Sequence, residues 1–226
     1  MNGDQAIVEQ QTDSGGKMIR TLGGIAMISG FLVVLVYQWT APMIAENKRR
    51  AIEQAIFQVL PGAVSRKDFH LSESQLIAGE GDGVMIYAGF DAEGKLKGIA
   101  AEAAAQGYAD VIQMLFGYDP ACECITGIKI LKSAETPGLG DKIFKDADFV
   151  ANFNALEARL NSTATALANP ITTVKHGTKS EPWQIDAISG ATVSSVAIGK
   201  ALDHSAQRLL PQLHIQWPTI SGRREP

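Results

Sequence analysis

The sequence predicts an α+β protein: a single N-terminal transmembrane helix followed by one globular domain that mixes strands and helices. Three observations carry this. An uncharged apolar run of about 25 residues, Thr21–Ala45, exceeds the ~20 that a helix needs to cross a hydrocarbon core. Short β-rich stretches follow it, among them VMIYAGFD and CITGIKILK. A long stretch with apolar residues at helical spacing, TVSSVAIGKALDHSAQRLLPQL, comes near the end. At 226 residues, the chain can hold both a span and a domain large enough to bury a core.

Taken in order, residues 1–16 (MNGDQAIVEQQTDSGG) are polar and Gly-rich and predict a flexible tail. Residues 17–45 form the anchor, with Tyr37 and Trp39 near its C-terminal end, where amphipathic aromatics favour the headgroup region. A cleaved signal would have an apolar core of only ~7–15 residues and a small-residue cleavage site, and APMIAENKRR offers none. Lys17 and Arg20 precede the span, and Lys48, Arg49 and Arg50 follow it. That count leans towards a cytoplasmic domain, but large domains cross largely regardless of charge, so it leaves the side open.

Residues 46–62 predict a juxtamembrane amphipathic helix, with Ile52, Ala55, Ile56 and Val59 on one face and Pro61-Gly62 ending it. The domain occupies 63–215. Its expected strands are Val84–Asp91, Gly94–Ala105, Cys124–Lys132 and Ile171–Lys175; Asp141–Leu160 reads as helical, and the helix from Thr192 should end near Pro211. GKLKGIA and CITGIKI echo each other, which points to internal duplication. Residues 216–226 form a C-terminal tail.

A net charge of −4 and the lack of a basic, aromatic-laced run argue against nucleic acid as a partner. The four histidines are scattered, so no metal site is expected. Cys122 and Cys124 sit in ACEC, where extended spacing gives poor disulfide geometry; they read as incidental and leave the compartment unfixed. Asn161-Ser162-Thr163 matches a glycosylation sequon by coincidence.

Two loops carry the chemistry. In DAISGATVSS the small residues Ser189, Gly190 and Ala191 precede a helix beginning at Thr192, with Ser194 and Ser195 behind it. Unpaired amides and the positive end of the macrodipole make such a helix start an anion seat. A plain N-cap by Thr192 or a neighbouring Ser is the simpler reading of the same residues. A serine-hydrolase elbow lacks its Gly-x-Ser-x-Gly pattern. In ETPGLGDK, Glu135 and Thr136 lead into Pro137, Gly138 and Gly140 around Leu139, which could set backbone amides and an apolar side chain against a flat ligand.

Together with GYAD and YDPACECITGIKIL, these motifs closely resemble the FMN-binding domain of RnfG, the G subunit of Rnf-type ion-translocating electron transport complexes. The C subunit of the sodium-pumping NADH:quinone reductase is similar. The resemblance implies FMN joined through a phosphoester to Thr192, attached by a flavin transferase that uses FAD and recognises Asp186 with Ser189, Gly190, Ala191 and Thr192. It implies that Ser189, Gly190, Ala191, Ser194 and Ser195 surround the phosphate, and that Glu135, Thr136, Gly138, Leu139, Gly140 and Lys175 lie about the ring. Tyr108 should pack near it, although Asp110 stands where the family tends to have Gly. No catalytic residue and no separate substrate site are implied: the chain would pass electrons between centres of a complex with subunits A, B, C, D and E. It would sit in the lipid of the bacterial inner membrane as a single-pass protein, its domain periplasmic. Two alternatives stay open, a covalent-flavin subunit of another respiratory complex and a non-redox anion-binding or assembly module.

Overall fold

A computed structural model of the chain describes residues 9–72, 75–79 and 81–222. It divides into two units, residues 1–49 and 50–226. The first is helical. Helix α1 runs Glu9–Val59 and reaches back into the segment expected to be a tail; residues 1–8 of that tail lie outside the described ones. Among the described residues it is the one helix long and apolar enough to cross a membrane. Ile25, Phe31, Leu32, Val36 and Trp39 are all exposed, a surface that water disfavours and lipid accommodates. Two of its hydroxyls bond within the helix: Thr21 Oγ donates to Lys17 O and Thr40 Oγ to Val36 O, both at 2.9 Å.

The second unit is built on one seven-stranded antiparallel sheet in the order β2-β1-β3-β4-β5-β6-β7. The strands are β1 Ser65–Ser72, β2 Gln75–Ala78, β3 Val84–Phe90, β4 Leu96–Gln106, β5 Val111–Asp119, β6 Cys124–Lys132 and β7 Leu156–Glu157. Both faces are covered, so inner strands read as apolar runs instead of alternating with polar residues. On one face lie Ile86, Ile99, Ala101, Met114 and Phe116 with Ile198, Leu202 and Leu209 of the C-terminal helix. On the other lie Tyr87, Ala100 and Leu115 with Ile52, Ala55, Ile56, Val59 and Leu60 from the end of α1.

That helix end sits close to the sheet. A Cβ on Gly117 would fall 2.0 Å from Val59 O, and Thr126 Oγ donates to that same carbonyl at 2.6 Å. The echoing stretches GKLKGIA and CITGIKI are on β4 and β6, which flank β5 in one meander. Of their shared glycines, Gly127 lies beneath Val59, whereas a Cβ on Gly98 would meet Tyr118 O first and Leu60 at 3.1 Å.

Three expectations are corrected. Cys122 and Cys124 are joined in a disulfide at the β5–β6 turn. Glu123 between them has φ 53, and this turn brings their Cα atoms to 5.2 Å, closer than the ~6.6 Å of extended chain and within the bridging range. Asp141–Leu160 is a 3-10 turn (Gly140–Phe144), a short helix α2 (Ala147–Ala151) and then β7. Phe149 and Phe153 in this stretch meet edge to face at 5.3 Å. Helix α3 runs Thr192–Ser221, passing Pro211 and Pro218, because its buried stripe Leu209, Leu210, Leu213 and Ile220 continues beyond the first proline. A two-stranded parallel ladder, β8 Thr172–Val174 with β9 Gln184–Asp186, completes the unit.

Candidate functional site

Three segments distant in sequence converge at the N-terminal end of α3: the turn between β4 and β5, the loop leaving β6, and the loop from β9 into α3. The last two contain the same device. Leu139 N donates to Thr136 O at 3.1 Å across Pro137-Gly138, with Gly138 at φ +81. Ala191 N donates to Ile188 O at 3.0 Å across Ser189-Gly190, with Gly190 at φ +83. Both follow the type II pattern, which demands a positive φ at the third position and therefore favours glycine there. A Cβ at either glycine would meet open space, so backbone conformation alone explains the residue choice.

Asp141 locks the first turn. Its Oδ1 accepts from Gly138 N at 2.7 Å and its Oδ2 from Lys145 Nζ at 2.5 Å. The Lys145 hydrogen bond, opposed by burial and aided by the Gly138 amide, holds this carboxyl below its ordinary value of 3.8.

The hydroxyls at the α3 start divide by burial. Ser195 is fully buried; its Oγ donates to Ala191 O at 2.9 Å and accepts from Ile188 N at 3.1 Å, which fixes the loop against the helix. Ser194 is also buried and donates to Glu135 Oε2 at 2.5 Å. Ser189 and Thr192 are exposed. The N-cap position is Ala191, which has no side-chain oxygen, so neither Thr192 nor a serine caps the helix. The first-turn amides thus lack a side-chain partner at the positive end of a 30-residue helix.

A cavity of about 350 Å³ opens there, lined by Tyr108, Glu135, Thr136, Leu139 and Gly140 on one side and Gly190, Ala191, Thr192, Val193 and Ser194 on the other. Tyr108, Leu139 and Val193 are 75%, 52% and 55% exposed, large side chains at its edge that lack packing. A larger hollow of about 480 Å³ beside Ile128–Lys132 gathers no such combination. Of the expected residues, Gly138, Ser189, Ser195 and Lys175 do not line the cavity. Gly138, Ser189 and Ser195 shape its loops, and Lys175 is exposed in the turn after β8, where its carbonyl accepts from Thr178. Asp186 faces elsewhere: its Oδ1 accepts from Gly177 N at 2.7 Å, and its Oδ2 lies 3.5 Å from His176 Nδ1. Val193 is the lining residue the sequence reading missed; its place beside Thr192 on an exposed helix start was the available signal. Asp110 leaves Tyr108 in place, because its carbonyl closes the turn on Gly107 N at 3.0 Å.

These features fit a flavin nucleotide. An uncapped helix start with small residues suits its phosphate, and a half-open apolar cleft suits its flat ring. Glu135 and Thr136 are polar groups on one side of the cleft, and Thr192 is an exposed hydroxyl at the helix start.

The sequence profile of the FMN-binding domain matches residues 107–207, and that of the RnfG N-terminal region matches residues 20–59. The G subunit of the ion-translocating oxidoreductase complex of Methanosarcina acetivorans is 31% identical over 191 residues, covering 84% of this chain and 91% of the relative. The corresponding G subunit of Pseudomonas aeruginosa is 30% identical over 202 residues, covering 83% and 84%. The fold is shared with crystal structures of NqrC from Shewanella oneidensis (TM-score 0.58, 14% identity, 78% of this chain and 99% of the other) and of the C subunit of the Na+-translocating NADH-quinone reductase from Parabacteroides distasonis (0.58, 18%, 74% and 92%).

Proposed function

The chain belongs to the RnfG family, the G subunits of ion-translocating oxidoreductase complexes, and from that premise we propose that it is the membrane-anchored flavin carrier of an Rnf-type complex, with FMN held covalently on Thr192. The observation that carries the reading is the site itself: the exposed Thr192 hydroxyl stands at an uncapped helix start beside an apolar cleft. When bound, FMN supplies one- and two-electron chemistry. The chain's residues bind and orient it. The first-turn amides of α3 would stabilise the phosphodiester charge, and Leu139, Val193 and Tyr108 would offer the ring its apolar contacts.

Attachment belongs to a separate transferase, because a threonine hydroxyl is too weak an acid to attack phosphorus unaided. Thr192 Oγ displaces AMP from FAD: the new O–P bond replaces the pyrophosphate bond, and the hydroxyl proton passes to a base of that enzyme. Asp186 and Ser189–Thr192 are its recognition segment. Asp186 orders the 176–177 turn in the folded chain, so its presentation depends on the fold as well as on sequence.

The apolar helix and the family support a place in the membrane, where coupling to ion movement would be a property of the complex with subunits A, B, C, D and E. The Cys122–Cys124 disulfide is of a kind kept in oxidising compartments, which supports a periplasmic domain at the bacterial inner membrane. A denaturing gel viewed under ultraviolet light tests the central step. Chain made alongside a flavin transferase should give a fluorescent band that is absent in Thr192→Ala; a dark wild-type band sinks the reading.

A further inference from the structure

Glu135 is 7% exposed, one of few polar residues buried in the described chain. A buried carboxylate is costly unless hydrogen-bonded. Its Oε1 accepts from Ala109 N at 3.1 Å, in the β4–β5 turn, and its Oε2 accepts from Ser194 Oγ at 2.5 Å, in the first turn of α3. Glu135 itself immediately precedes the Thr136–Leu139 turn. One carboxylate thus joins all three segments of the cleft. The surrounding glycines are sized to admit it. A Cβ on Gly107 would lie 2.4 Å from Oε1; one on Gly140 would lie 2.3 Å from Oε2 and 2.9 Å from Ser194 Oγ. Among the described residues no ion pair neutralises it.

We propose that Glu135 is the positioning residue of the flavin site: its carboxylate pins the three segments together and fixes a negative charge in the cleft wall. The proposal rests on the flavin reading and extends it. A pinned carboxylate without an ion-pair partner opposes added negative charge nearby, so it lowers the potential at which a bound flavin accepts electrons. Glu135→Gln keeps the shape and removes the charge: its amide oxygen still accepts from Ala109 N, while its Nε2 only donates, so the Ser194 hydroxyl turns to accept. Glu135→Ala removes both, and Ser194→Ala removes one bond.

The test uses the full-length chain in detergent, with two readouts. In flavin-free protein, amide exchange in residues 106–111 and 192–195 should rise together by roughly tenfold in Glu135→Ala, as expected for loss of a hydrogen bond to a charged group. Ser194→Ala should raise it less, in the same segments, and this variant carries the exchange readout if Glu135→Ala does not fold. In flavin-loaded protein, Glu135→Gln should move the midpoint potential to more positive values with near-wild-type exchange. Unchanged exchange in the alanine variants overturns the pin, and an unchanged potential in Glu135→Gln overturns the charge. Failure of the flavin reading is separately visible as a wild-type chain that never acquires flavin, and the exchange readout is independent of it.

Discussion

Ser189, Thr192, Ser194 and Ser195 crowd the start of α3, and their partners decide what each can do. Ser195 is structural: Ser195→Ala orphans the buried Ile188 amide and should cost about 1–3 kcal/mol, measured by denaturant unfolding, while leaving Thr192 open to modification. Gly138→Ala meets open space but must adopt φ +81, so it should cost about 1–2 kcal/mol without a clash. Leu139→Ala should leave flavin attached and shift its potential; an unchanged potential would mean that Leu139 does not cover the ring. At this scale the sequence was legible where chemistry is local. Pro137-Gly138 and Ser189-Gly190 declare their turns, and both loops reach one cleft. The Glu135–Ser194 bond joins residues 59 apart, and no local pattern announces it. The same applies to Ser195, which local sequence cannot tell from an exposed phosphate donor.

Among the elements, the end of α1 and the far end of α3 clamp opposite faces of the sheet. Gly117→Ala would drive a methyl into Val59 O and should lower stability by about 1–3 kcal/mol, read as a fall in Tm. Trp217, beyond both the predicted stop at Pro211 and the start of the predicted tail, stacks on Tyr118 with ring centroids 6.4 Å apart. Burial first, then the charges of Glu123 and Asp119, raise the Tyr118 phenol from 10.0 to about 12. The folded state therefore binds this proton more tightly than the unfolded one. Its contribution is complete below pH 10 and is lost as pH rises towards 12. Tyr118→Phe should flatten that alkaline fall in stability, and a fall of unchanged steepness would place its cause elsewhere. Strands β3, β4, β6 and β8 were legible from their β-branched or apolar character, whereas β5 (VIQMLFGYD) was not among the expected strands although it is equally apolar. β1 (SRKDFHLS) was not, because an outer strand paired with short β2 carries polar residues that cancel the pattern. The stop at Pro211 misled because a lost backbone bond is outweighed by the apolar stripe that continues past it.

At the scale of the whole molecule, the core-bearing unit begins at Arg50 and includes the last turns of α1. A chain starting at Arg50 should fold cooperatively and still accept flavin, whereas one starting at Val64 should lose the Ile56–Leu60 cover of the sheet and aggregate; size-exclusion chromatography and calorimetry distinguish these outcomes. Protease added outside spheroplasts should digest the domain of the full-length chain if it is periplasmic, and spare it if it is cytoplasmic. The measurement that bears most directly on the account is intact mass with peptide mapping of the full-length chain, purified from a host that has a flavin transferase. The account predicts an increment of one FMN less one water on the peptide containing Thr192, absent in Thr192→Ala. No increment, or an increment mapped to another residue, would contradict it.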